Sequence, residues 1–492
     1  ISGSSSDNVV VLGYDAFSTI VGKINSGSSY VTVVQNTNGQ TGSADSSLNQ
    51  DGQTLPEGSV LTDGYKNNVT FTIDKAEGDS GFFDLRQLGI GNKLTLVANG
   101  TNNDIRIDQR NTAGGINKMT LNVDQDNSTF DISANGTNNV ISIDQSNTAD
   151  EGTVDGISKM TLDVDQSNST IDISQAGPST SVISLTGDGN AITVNNSKIG
   201  DSESPIVTNV SLTNTGTMGN RVTLNDYRYV GNAGNDSSGV IVNGEGNILK
   251  THGNVGTFDV EGDENEFSIR NVSSYRSNVY INIKGNENRS IGDLTHEGGT
   301  HDPVFYSIGG SNNTLETSFY ESRGMVSVQI DNSAADAPEG NHVDIYAKHY
   351  GSFYLDITGD QNKYTFDGGS HGGGWVDSII SGYRNTQFFD FSAYEGSTMS
   401  ALTISTNITG DDNHQSFTGA SGLSDPLFSD IITTNIKGFK NSWDYTVGRT
   451  GFSHTVNGDG FAGEVTANSL STGYKQSFSQ LGSGTSTLSH SG

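Results

Sequence analysis

The chain contains two nearly identical segments, and this internal repeat constrains the fold more than any other feature of the sequence. Residues 118–133 read KMTLNVDQDNSTFDIS and residues 159–174 read KMTLDVDQSNSTIDIS, so 13 of 16 positions are identical. A second pair precedes them, NGTNNDIRIDQRN from residue 99 and NGTNNVISIDQSN from residue 135, and looser copies continue beyond residue 430. Repetition with a period of about 20–50 residues is typical of solenoids and repeat arrays.

The copies share the form apolar-x-apolar-x-Gly-x-x-Asn-x-apolar-x-apolar. Alternation with a period of two places one face of a short strand inward. Gly and Asn tolerate positive φ, and Asn bonds to nearby backbone, so the chain can reverse tightly between two such strands. The predicted turns are marked by Gly100/Asn103, Gly136/Asn139, Gly187/Asn190, Gly262/Asn265, Gly285/Asn288, Gly359/Asn362, Gly410/Asn413 and Gly438/Asn441.

A single strand–turn–strand unit buries too little apolar surface to be stable alone. When the unit is stacked on copies of itself, every backbone N–H and C=O finds a hydrogen-bond partner in the unit above or below. Equivalent side chains then form columns along the stack. The sequence therefore predicts an all-β fold, a β-solenoid of stacked strand–turn–strand repeats with about 15–20 irregular rungs, where a rung is one layer of the stack. The hydrophobic fraction of 32% is low, but the apolar residues are regularly spaced, as a thin repetitive core requires.

Three regions differ in composition. Residues 1–60 are rich in Ser, Gly and Asn, and we expect an end rung or an arm that pairs with another subunit. Residues 61–226 are aliphatic and rich in Asn and Gln. Residues 227–492 contain 31 of the 39 aromatic residues and all nine histidines, and we expect aromatic-richer repeats that end in an uncapped rung.

The acidic composition argues against several partners. A net charge of −31 opposes binding to nucleic-acid phosphates and to an anionic membrane surface. The longest apolar run near the start, VVVLGY from residue 9, is too short to span a bilayer. The chain has no cysteine, so it has no disulfide and no thiolate metal site. We therefore expect a secreted, extracellular protein without a nucleic-acid partner or membrane insertion.

A pattern of Ser, five residues, Gln and a following Gly recurs, as in Ser169, Gln175 and Gly177, and other phrases end in Gln109, Gln125, Gln145, Gln166 and, in the tail, Gln480. In residues 94–190 and 474–484 this pattern resembles the repeats of curlin, the subunit of bacterial curli fibres. The resemblance implies that these Gln and Asn side chains bond to their equivalents one rung away. It also implies an exported β-solenoid that polymerises into extracellular fibres of a biofilm matrix. The chain departs from the family in its greater length and its ragged spacing.

Acidic turns are the best candidates for a metal site. GDENE from residue 262, GDQN from residue 359 and GDDN from residue 410 place carboxylates beside amide oxygens, and Ca²⁺ binds six to eight oxygens. The candidate ligands are Asp263, Asp360, Asp411 and Asp412, with simple turn chemistry as the alternative interpretation. HEGGTH from residue 296 has two histidines five residues apart around two glycines, which does not fit a helical zinc-protease motif.

The aromatic residues of the second half have two interpretations. We expect Phe391, Phe417 and Trp443 to point inward and form core. We expect Tyr350, Tyr354, Tyr383 and Tyr394 to point outward, at a subunit interface or a sugar-stacking face.

The sequence contains neither a G-x-S-x-G elbow nor a phosphate-binding loop, and we expect no enzymatic activity. We expect a structural subunit of an extracellular fibre or sheath, which forms a homopolymer head to tail through β-sheet edges. The alternative is a cell-surface adhesin or a phage-type β-helical fibre that binds or cleaves polysaccharide or other matrix components. A third interpretation is an S-layer-like lattice.

Overall fold

The structure, a computed structural model, describes part of the chain. The described residues are 8–12, 19–24, 29–35, 60–65, 68–74, 81–90, 93–101, 103–110, 118–126, 129–146, 158–176, 179–197, 206–226, 238–253, 255–273, 279–296, 304–320, 325–332, 340–349, 352–371, 375–390, 403–418, 430–447, 451–468, 475–481 and 484–491. Side-chain environments are described mainly between residues 93 and 444.

The described elements are all strands, and no helix occurs among these residues, which confirms the predicted all-β fold. The strands are β1 (Asn8–Leu12), β2 (Thr19–Ile24), β3 (Ser29–Gln35), β4 (Val60–Tyr65), β5 (Asn68–Asp74), β6 (Gly81–Ile90), β7 (Lys93–Thr101), β8 (Asn103–Arg110), β9 (Lys118–Asp126), β10 (Thr129–Thr137), β11 (Val140–Ser146), β12 (Ser158–Ser167), β13 (Thr170–Ala176), β14 (Ser179–Thr186), β15 (Ala191–Ser197), β16 (Ile206–Thr213), β17 (Arg221–Asp226), β18 (Ser238–Asn243), β19 (Ile248–Gly253), β20 (Val255–Glu261), β21 (Glu266–Ser273), β22 (Val279–Lys284), β23 (Arg289–His296), β24 (Val304–Gly309), β25 (Thr314–Tyr320), β26 (Met325–Asn332), β27 (His342–His349), β28 (Ser352–Gly359), β29 (Lys363–His371), β30 (Trp375–Ser381), β31 (Thr386–Asp390), β32 (Thr403–Thr409), β33 (His414–Thr418), β34 (Asp430–Val447), β35 (Gly451–Asn468), β36 (Lys475–Leu481) and β37 (Gly484–Ser491).

The chain divides into two compact units, Ile1–Asn254 and Val255–Gly492. In the regular part of each unit, a strand pairs in parallel with the second strand after it. In the first unit β13 pairs with β15, which places Ile171 beside Ile192. In the second unit β22 pairs with β24, which places Ile281 beside Tyr306. Two consecutive strands thus form one rung, and the prediction of a β-solenoid is confirmed.

The two strands of a rung face each other across a thin core. Along β13 exposed and buried residues alternate, as the period of two predicts. In the second unit, Phe353 of β28 contacts Phe366 of β29 with ring centroids 4.6 Å apart. The hydroxyl of Tyr306 in β24 lies 3.0 Å from Oγ1 of Thr317 in β25. These contacts join strands from opposite sides of the core.

The composition of the core differs between the two units. Among the described buried hydrophobic residues of the first unit, Phe130 is the aromatic side chain, and the others are aliphatic residues or methionines. The described core of the second unit contains Phe258, Phe267, Tyr306, Phe353, Tyr364, Phe366, Phe389, Phe417 and Trp443. Phe417 and Trp443 are therefore buried, and Phe391 lies outside the described residues.

The ends of the chain are partly described. β1 pairs in parallel with β3, with Asn8 beside Tyr30. β36 and β37 both pair with β35. The division between the compact units falls after Asn254. The regions 1–60, 61–226 and 227–492 were defined by composition and, like the uncapped last rung, stay predictions.

Candidate functional site

The tight turn between the two strands of a rung is the most regular polar feature of the second unit. Its glycine and its third residue have positive φ, 139° at Gly262 and 58° at Glu264. The backbone N–H of Gly262 donates to the carbonyl of Lys284 at 2.9 Å, and the N–H of Glu264 donates to the carbonyl of Asn286 at 3.0 Å. The backbone of this turn is therefore bonded to the next rung. Other turn glycines with positive φ include Gly136, Gly187, Gly244, Gly285, Gly310, Gly359, Gly382, Gly410 and Gly438.

The last residue of each turn forms a buried column, which we call the asparagine ladder. The backbone N–H and the Nδ2 of Asn288 both donate to Oδ1 of Asn313, at 3.0 and 3.1 Å. The Nδ2 of Asn288 also donates to the carbonyl of Gly262 at 2.8 Å. In every member but the last, the backbone N–H donates to Oδ1 of the next asparagine in the column. The members are Asn265, Asn288, Asn313, Asn341, Asn362, Asn385, Asn413 and Asn441.

A shorter ladder runs through the first unit. The backbone N–H of Asn190 donates to Oδ1 of Asn220 at 2.9 Å, and that of Asn220 donates to Oδ1 of Asn247 at 3.0 Å. Ser169 occupies the equivalent place one rung before Asn190. Its Oγ accepts the N–H of Asn139 at 3.0 Å, and its own N–H donates to Oδ1 of Asn190 at 2.9 Å. Sequence reasoning missed this substitution, because Ser169 follows no turn glycine.

Glutamine bonds along the stack at two described places. In the second unit, the Nε2 of Gln415 donates to Oε1 of Gln387 at 3.2 Å, and the other place is in the first unit. The Nε2 of Gln175 donates to Oε1 of Gln145 at 2.9 Å, and it also contacts Oγ of Ser181 on the facing strand. Both glutamines are buried.

The side chains of the other proposed glutamines lie outside the described part, but their backbone register is known. Gln109 lies beside Gln87 and Ala134, Gln125 beside Gly100, Gln166 beside Gly136, and Gln480 beside Val456. Gly100 ends no described turn of the Gly262 type, since it lies within β7, and Asn103 begins β8.

The acidic turn residues bond to backbone of the following rung. Oδ1 of Asp263 accepts the N–H of Asn286 at 2.6 Å. Oδ1 of Asp360 and Oδ1 of Asp411 accept the equivalent N–H groups at 2.9 and 2.7 Å. Asp412 Oδ1 lies 3.9 Å from Lys440 Nζ. No group of three candidate metal ligands occurs among the described residues, and Ca²⁺ binding stays a prediction.

The described histidines are dispersed, with His252 in the first unit and the others in the second unit. His342 Nε2 lies 2.7 Å from Asp344 Oδ2 on the outer face of β27. His296 ends β23, and the remainder of HEGGTH lies outside the described residues.

The outer face of β22 to β28 presents aromatic rings to solvent. Strand register places Tyr280, Phe305, Ser327 and Tyr354 in one column, which we call the aromatic column. The rings of Tyr280 and Phe305 are stacked, with centroids 5.0 Å apart and planes at 8°. Tyr280 is 43% exposed and Tyr354 is 37% exposed. Sequence reasoning found Tyr354 but missed Tyr280 and Phe305, which come from different repeats.

Other outward aromatic residues lie on the turns. Tyr383 is 52% exposed, and Phe439, which follows Gly438, is 69% exposed. Tyr350 and Tyr394, also predicted to point outward, lie outside the described residues.

Carboxylates crowd each other at two places on the outer faces. Burial, and then the charge of Asp331, raise the pKa of Asp356 on β28. Burial, and then the charge of Asp390, raise the pKa of Asp367 on β29. In both cases the ionised form is disfavoured in the folded chain.

Comparison of the chain with protein families, with curated proteins and with solved structures gives no match. The resemblance to curlin thus stays a prediction. In the described part of the chain, no helix has the length and apolar character that a membrane span requires.

Proposed function

We propose that this chain is a non-enzymatic structural subunit of an extracellular fibre, and that it polymerises head to tail. The observation that supports this most strongly is the asparagine ladder of the second unit, which keeps one parallel register through eight successive rungs. In each ladder residue, the buried amide is satisfied by the neighbouring rungs. A second molecule with the same kind of turn therefore offers the same partners as the next rung of one chain.

Stacking of unlike ends is a heterologous contact, and repeated heterologous contacts produce an open filament. The net charge of −31 opposes close approach of two copies at low ionic strength. Salt screens this repulsion, because the Debye length falls to about 8 Å at physiological ionic strength. Assembly is therefore expected to be slow at low salt and faster near physiological salt. The curlin-like repeats support the same proposal.

Negative-stain electron microscopy of the purified chain, at low and at physiological salt, tests the proposal. We expect long unbranched filaments that form faster at the higher salt. Sonicated filaments added to fresh protein should remove the lag, since an exposed rung acts as a template. Single particles at every salt and protein concentration, with no effect of seeds, would contradict the proposal. Immunogold labelling of intact producing cells tests the extracellular location separately.

The alternative is an adhesin-like role, and the exposed aromatic column is the observation that favours it. An adhesin of this kind remains a discrete particle and binds its ligand through the outer face. Light scattering on the same samples separates the two functions, because only the fibre subunit gains mass with time.

A further inference from the structure

The aromatic column lacks one ring. Tyr280 and Phe305 occupy adjacent rungs and stack, Ser327 takes the next rung, and Tyr354 follows. Adjacent strands lie about 4.8 Å apart, so Phe305 and Tyr354 are separated by roughly 9–10 Å along the stack. A serine side chain fills little of this distance. The space between the rings of Phe305 and Tyr354 can therefore accept a planar group from a ligand.

The outer face that contains this gap carries more negative than positive charge. The described outward residues of β20, β22, β24, β26, β28 and β30 include one cation, Lys284. Five carboxylates share the same face, Asp259, Glu261, Asp331, Asp356 and Asp377. Asp356 lies two residues from Tyr354 on the same strand, and Asp331 lies four residues from Ser327. The face thus combines exposed rings with an excess of negative charge.

We propose that this face binds an extended basic polypeptide and receives an arginine side chain between Phe305 and Tyr354. A guanidinium group is flat, stacks on aromatic rings and pairs with carboxylates. It therefore matches both features of this face, the missing ring and the excess of negative charge. Binding of such a polypeptide to this face does not depend on whether the chain polymerises.

The crowding of carboxylates supports a cationic ligand. Burial and the neighbouring Asp331 disfavour the ionised form of Asp356, so its pKa is raised in the free protein. A bound guanidinium favours the ionised form and relieves this repulsion. Lysine has a more strongly hydrated, compact charge and lacks the planar group, so it fits the carboxylates but not the missing ring. A neutral glycan fits the rings but does not complement the negative charge of this face.

Fluorescence anisotropy with a labelled Gly-Arg-Gly-Arg-Gly-Arg-Gly peptide and the full chain tests the proposal. Peptides with Lys or Gln in place of Arg serve as matched ligands. The variants are Tyr354→Ser, which removes a ring, and Ser327→Tyr, which fills the gap. Tyr383→Ser is the control, because Tyr383 is 52% exposed on a turn, outside the aromatic column. Circular dichroism confirms that each variant is folded.

We expect the Arg peptide to bind about 2- to 5-fold more tightly than the Lys peptide, and both more tightly than the Gln peptide. Tyr354→Ser and Ser327→Tyr should each weaken binding of the Arg peptide by about 2- to 5-fold or more, and Tyr383→Ser should leave it unchanged. Equal binding of the Arg and Lys peptides, unaffected by both column variants, would show attraction by charge alone and overturn the proposal. Binding of a neutral glucose oligomer that Tyr354→Ser abolishes, without binding of the Arg peptide, would also overturn it and identify a glycan site.

Discussion

Removal of one amide from the middle of the asparagine ladder tests the energetic role of the ladder. Asn313 is 2% exposed. Its Oδ1 accepts two bonds from Asn288, at 3.0 and 3.1 Å. Its Nδ2 donates to the carbonyl of Gly285 at 2.8 Å and to Oδ1 of Asn341 at 3.0 Å. The substitution Asn313→Ala removes these four bonds and deprives the buried N–H of Asn288 of its acceptor.

The expected cost follows from those contacts. A typical intramolecular hydrogen bond contributes about 1 kcal/mol net, and a buried donor left without an acceptor costs about 1–3 kcal/mol. Three lost bonds at about 1 kcal/mol each, and one buried backbone donor left unpaired at about 1–3 kcal/mol, predict that Asn313→Ala lowers the free energy of unfolding of the second unit by about 4–6 kcal/mol. The matched control is Asn282→Ala. Asn282 points outward, and its Nδ2 donates to Oδ1 of Asp259 at 2.9 Å, so its loss should cost less than about 1 kcal/mol.

Urea unfolding followed by tryptophan fluorescence measures both variants. The two tryptophans of the chain, Trp375 and Trp443, both belong to the second unit, so the signal reports on the unit that contains the ladder. Solenoids can unfold in parts. Amide hydrogen exchange at Asn288 therefore provides a local measurement that does not require a two-state transition.

The variant Asn313→Asp separates hydrogen bonding from packing. The carboxylate keeps an acceptor for Asn288 but has no donor for Gly285, and its burial raises the pKa in the folded state. We expect Asn313→Asp to be destabilised at neutral pH and to recover in part as the pH falls, because the protonated group can donate. If Asn313→Ala loses no more stability than Asn282→Ala, the ladder does not stabilise the stack and this reasoning is wrong.

Two further predictions concern the turns and the outer face. Gly310 has φ of 100°, and an added Cβ would lie 2.1 Å from the carbonyl oxygen of Gly285, so Gly310→Ala should cost about 1–3 kcal/mol in urea unfolding. The adjacent Gly309→Ala meets nothing closer than 3.9 Å and should be nearly neutral; equal losses at both positions would contradict the steric explanation. Burial and Asp390 raise the pKa of Asp367, so this group favours the folded chain most at low pH and loses that contribution as the pH rises through its raised pKa. Asp367→Asn should therefore raise Tm near pH 7 and leave it unchanged near about pH 3, below the ordinary aspartate pKa; the same shift at both pH values would refute the electrostatic cause.

The strand and turn pattern could be predicted because its causes are local. Alternating apolar residues select one face of a strand, and a glycine such as Gly262 tolerates the positive φ of a tight turn. The third turn residue is less predictable. Glu264 and Arg384 both adopt φ of 58° although neither residue type favours this region, and backbone bonds to the next rung hold them there.

Lateral neighbours could not be predicted in the same way. The separation between ladder residues varies, for example 21 residues from Ser169 to Asn190 and 30 from Asn190 to Asn220. Residues with equal places in two repeats need not face each other when the connecting segments differ in length. Gln166 also lies beside Gly136 and not beside Gln125, its equivalent in the other copy, because β12 pairs with β10 whereas β9 pairs with β11.

The sequence by itself determined that short strands alternate with tight turns, and that such units must stack to bury a core and satisfy their backbone. It determined this because the side of a strand on which a side chain lies, and the place where the backbone turns, depend on the residue and its nearest neighbours in the chain. Only the tertiary structure decided which residue of one rung lies on which residue of the next. That register brings Tyr280, Phe305 and Tyr354 into one column with Ser327. It depends on the pairing of whole rungs across connections of unequal length, which no local pattern encodes.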